Sequence, residues 1–71
     1  MIEEITQDLI DKYPILKYFR YDHLPKKLQE ISAPFAVLAA KAAVNSERGP
    51  EVSAGLRKLL EAKDCFVRAA L

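Results

Sequence analysis

Four prolines decide where this chain can be helical: Pro14, Pro25, Pro34 and Pro50. Proline lacks a backbone N–H and disfavours α geometry in the residue before it. Each one therefore marks a helix start, a helix end or a kink. The segments between them carry helical periodicity. Residues 2–12 place Ile2, Ile5, Leu9 and Ile10 on one side at three- and four-residue steps. Glu3 and Glu4 suit the positive start of that helix and Lys12 its negative end, and Pro14 stops it. Residues 13–24 form an aromatic, partly extended connection. Pro25 then fits the first turn of a second helix, where its missing N–H costs nothing.

That second helix meets Pro34 just after Ser32. Either Ser32 caps a new helix there, or one longer helix is kinked. Both readings run to about Asn45, with an apolar face of Phe35, Leu38, Ala39 and Ala42 and further alanines that admit a close neighbour. The turn Ser46–Pro50 contains Gly49, which tolerates unusual backbone geometry, and Pro50 opens the last helix. Residues 51–70 place Val52, Leu56, Leu59, Leu60, Phe66, Val67 and Ala70 on one broad face, interrupted by Lys63. Arg57, Glu61, Asp64 and Arg68 line the other side at spacings that permit ion pairs. So short a turn makes the two long helices antiparallel neighbours.

The expected fold class is therefore all-α, a single domain over residues 1–71. A short N-terminal helix (2–12) and the connection (13–24) precede an antiparallel hairpin of a kinked helix (25–45) and a long helix (51–70). A 71-residue chain buries only about 60% of its unfolded surface, so its core is marginal without help. Cys65 is the one cysteine and His23 the one histidine, which excludes an internal disulfide and a metal site built on those residues. Oligomerisation is the remaining help, and a homo-oligomer is expected.

Composition also narrows function. Eleven basic against ten acidic side chains give a net charge of +1, unlike a general nucleic-acid binder. Neither long helix shows a basic stripe for duplex DNA or RNA. The opening Met1-Ile-Glu-Glu lacks the cationic start of a signal peptide, and no apolar run is long enough to span a membrane, so an intracellular protein is expected. No nucleophile elbow, zinc-protease, Walker or dinucleotide-binding motif occurs, which argues against an enzyme and implies no cofactor. Cys65, mid-helix with no histidine near it, reads as a small core residue.

One dense cluster remains, "KYFRYDHLPKKLQ" at residues 17–29. It holds Tyr18, Phe19 and Tyr21, half of the chain's six aromatics, with His23 and four basic side chains. As packing, Phe19, Tyr21 and Leu24 tuck against the hairpin while Lys26 and Lys27 face water. As a site, a tyrosine ring stacks on a nucleobase for about 1–3 kcal/mol, and Arg20, Lys26 or Lys27 pairs with phosphate. The two uses are compatible, with Phe19 packing and Tyr21 stacking.

The sequence "FRYDHLP", a kinked helix, the acidic turn Ser46–Glu51 and the closing "LRKLLEAKDCFVRAAL" together resemble a family of small bacteriophage proteins. These are the anti-CBASS cyclic-oligonucleotide sponges, whose helical hairpin is shared with an anti-Thoeris sponge. The likeness covers about residues 17–71. It implies a homohexamer that sequesters cyclic di- and trinucleotide second messengers in the cytoplasm of the infected bacterial host without cleaving them. It implies Tyr21 as the base-stacking residue, with Phe19 as the alternative, and Asp22 as the polar residue after it. His23 belongs to the same motif. The family's basic residue from the kinked helix falls near Ala36 or Val37, with Lys41 one turn on and Lys26 or Lys27 as substitutes. Arg68 is the candidate for a separate trinucleotide site.

Overall fold

The structure, a computed structural model, describes residues 5–71. Among them there is no strand; three α-helices and one 3₁₀ helix account for the regular structure. Helix α1 spans Gln7–Lys12 and is shorter than the periodicity suggests. Thr6 is the reason: its side-chain oxygen accepts a hydrogen bond from the Leu9 N–H at 3.2 Å, which caps the helix there. Ile5 therefore lies ahead of the helix, half-buried against the core. Ile2, Glu3 and Glu4 lie outside the described residues.

The connection is not extended. Pro14–Phe19 winds as a 3₁₀ helix, started by Pro14 with its fixed φ. Three residues per turn align Tyr13, Leu16 and Phe19 on one side, and these are 4%, 0% and 1% exposed. This stripe is the large-side-chain part of the core. It packs with Ala36, Ala39 and Ala43 of the second helix and Leu56 of the third. Phe19 points inward, as its sequence context suggests.

Helix α2 runs unbroken from Lys26 to Val44, so the reading with Ser32 as a fresh cap is excluded. Pro25 stands just before the helix at φ −55° and ψ 149°, and its carbonyl accepts from the Leu28 and Gln29 N–H groups. Pro34 lies inside the helix with its ring exposed. It withholds the N–H that would have met the Glu30 carbonyl. The buried face of α2 is Ser32, Ala36, Ala39, Ala40 and Ala43. It is thus rotated away from the Phe35–Leu38–Ala42 line, leaving Leu38 54% exposed. Close approach explains the rotation, because the 3₁₀ helix and α3 both press on α2 and only small side chains fit between them.

Helix α3 spans Pro50–Ala69 and returns along α2. Gly49 caps it at φ 176° and ψ 166°, an extended conformation that needs no glycine. Only Leu56 of α3 is fully buried, and Phe66, placed on the core face by periodicity, is 58% exposed. Phe66 instead meets Phe35 at the flank of the hairpin, ring centroids 5.7 Å apart.

Candidate functional site

The aromatic–basic stretch is held from three directions. Phe19 anchors it in the core. Lys63, reaching across from α3, donates from Nζ to the Tyr18 carbonyl at 3.0 Å and pairs with Asp64 at 3.0 Å. A cation here meets the carbonyl-rich end of the 3₁₀ helix, where a positive charge is favourable. Lys63 is mostly buried, and its interruption of the apolar face is this internal contact. The expected ladder of Arg57, Glu61, Asp64 and Arg68 does not form among the described residues. Asp64 is taken by Lys63, and Arg68 donates to the Cys65 sulfur at 3.4 Å. Cys65 itself is exposed, not a core residue.

The third hold comes from Gln29. Its Nε2 donates to the Leu24 carbonyl at 2.8 Å and to the Asp22 carbonyl at 3.3 Å. That fastens the turn carrying Asp22 and His23 onto the first turns of α2. Tyr21 is half-buried against the core cluster, while Asp22, His23 and Lys26 are exposed around it. Arg68, in the last turn of α3, lies at the same end of the hairpin because the helices are antiparallel. Lys41 does not join them: at about 1.5 Å rise per residue it is roughly 22 Å along α2 from Lys26. The structure thus gathers Phe19, Tyr21, Asp22, His23 and Lys26 in one neighbourhood, puts Arg68 at the same end and separates Lys41.

Two concavities lie elsewhere, and neither is lined by those residues. One is an apolar groove of about 470 Å³ between α2 and α3, walled by Leu38, Ala42, Val52, Leu56 and Leu59. The other is a cleft of about 320 Å³ that brings Lys12, Arg48 and Arg57 together. No motif announces this cluster, since its members come from the end of α1, the inter-helix turn and the second turn of α3. Proline-marked helix boundaries were the only available hint, as they set which ends meet. Among the described residues no group of three or more metal-ligating side chains forms, and no helix is long and apolar enough to cross a membrane.

No protein family, curated protein or solved structure matches the chain.

Proposed function

We propose that the chain is a non-catalytic binding protein that sequesters cyclic di- and trinucleotide second messengers as a homo-oligomer, in the manner of a phage immune-evasion sponge. The observation that carries the reading is the combination of an open aromatic–basic end with uncovered apolar flanks. Tyr21, His23, Lys26 and Arg68 share one end of the hairpin, and among the described residues they line neither of the two concavities above. Leu38, Val44 and Phe66 are large apolar side chains left exposed on the two long helices. A second copy covering such flanks would supply the missing wall of a pocket, and could bring its own Lys41 to the first copy's Tyr21. Within the pocket Tyr21 stacks on a base, and Lys26 or Lys41 meets the phosphodiester. Silencing the signal then requires tight stoichiometric capture and no bond cleavage.

A second reading, a small adaptor that docks a partner protein through its alanine-rich face, fits less well. That face is already covered within the chain, with Ala39, Ala40 and Ala43 fully buried.

Calorimetric titration with a panel of cyclic di- and trinucleotides tests the proposal, followed by heat denaturation and recovery of the ligand. Intact nucleotide at one ligand per few chains is the expected result; hydrolysed product would make the protein an enzyme, and no heat with any member would overturn sequestration. Tyr21→Ala should abolish cyclic dinucleotide binding while the mass by light scattering stays unchanged. A collapsed assembly in that variant would make Tyr21 a packing residue.

A further inference from the structure

The cleft of Lys12, Arg48 and Arg57 has a charge composition unlike the rest of the molecule. The chain as a whole is balanced, eleven basic to ten acidic, yet among the described residues three cations and no carboxylate side chain line this cleft. Three exposed cations gathered in one concavity present a positively charged surface that attracts an anion. Of the nearby acids in sequence, Glu47 and Glu61 are exposed and stand outside the lining of the cleft. Asp11 accepts from Gln7 Nε2 at 3.0 Å, and Glu51 lines the apolar groove between α2 and α3. Among the described residues, Lys12, Arg48 and Arg57 make no ion pair. Lys12 Nζ is instead held 5.4 Å over the Tyr13 ring, at the wall of the same cleft.

We infer that this cleft is a binding site for a small phosphate monoester. Arginine offers a planar fork that takes two phosphate oxygens at once, and two arginines with a lysine match a dianion rather than a single carboxylate. Ser53 adds a hydroxyl from the first turns of α3. The volume, about 320 Å³, exceeds what a phosphate group alone requires and falls at the small end of ligand pockets. Pro14, Ile15 and the Tyr13 ring give the remaining wall an apolar character suited to the body of the ester. The site lies away from Tyr21 and does not depend on cyclic-nucleotide capture.

The test is a titration of ¹⁵N-labelled protein with inorganic phosphate and, separately, adenosine monophosphate, each against sodium chloride at matched ionic strength. Saturable shifts at Arg48, Ser53 and Arg57 are expected, with tighter binding of the monophosphate. Equal affinity for both would assign the phosphate group alone as the recognised element and would still support the site. The double variant Arg48→Gln/Arg57→Gln removes two exposed side chains and should weaken binding at least about tenfold with unchanged helicity. Lys12→Gln, on a different element, should weaken it in the same direction. Shifts that grow linearly without saturating, that spread equally to Lys26 and Lys41, or that chloride reproduces would overturn the inference. Tyr21→Ala should leave these shifts intact, so failure of cyclic-nucleotide binding and failure of this site are separately visible.

Discussion

Helices α2 and α3 are nearly equal in length, 19 and 20 residues, yet α2 buries five side chains and α3 one. The side chains run opposite to intuition, since α2 buries alanines and a serine while α3 carries the leucines. The difference lies in what covers each helix. The 3₁₀ helix and α3 both lie on α2, so its small residues sit where two neighbours converge. Much of the large apolar surface of α3 stays half-open at the flanks. Burial depth in this fold follows the number of covering elements, not the hydrophobicity of the residue.

The strongest way to break that contrast is to remove what covers α2. Phe19→Ala deletes the largest fully buried side chain and should cost about 3–5 kcal/mol, a loss that urea unfolding would register as a much lower midpoint. Next comes overfilling. Ala39→Leu forces a larger side chain into a fully buried position and should destabilise by about 1–3 kcal/mol in the same assay. A neutral result would mean that α2 and the 3₁₀ helix are less closely packed than described. The smallest effect falls on α3. Gly55 is mid-helix, and a methyl group there would meet nothing within 4 Å. Gly55→Ala should raise the melting temperature through a gain of about 1 kcal/mol. Because Gly55 also lines the apolar groove, a loss would indicate that another surface approaches the backbone there.

Much of the helical layout was legible in the chain because proline and periodicity act locally. Pro14 and Pro50 mark the ends they are expected to mark, and Phe19 faces inward. What stayed hidden depends on packing. A period of three over six residues is too brief to stand out beside helical spacing, so the 3₁₀ helix reads as a loop. The alanine face loses to Phe35 and Leu38 on any hydrophobicity ranking, because the ranking ignores how closely the helices approach. Lys63 looks like an intruder on an apolar stripe until its carbonyl partner, 45 residues away, is placed beside it. The site divides the same way. Tyr21, Asp22, His23 and Lys26 are near one another because they are near in sequence. Lys12, Arg48 and Arg57 meet through the fold alone.

The threefold alignment of Tyr13, Leu16 and Phe19 also limits how this segment can change length over generations. Adding or deleting one residue between Tyr13 and Phe19 turns everything after it by about 120°, sending Phe19 from the core to water. The turn after Tyr21 has no such periodic constraint, being fastened mainly by Gln29. Variation in length among descendants of this chain should therefore collect in the turn that carries Asp22 and His23 and spare the six residues of the 3₁₀ helix.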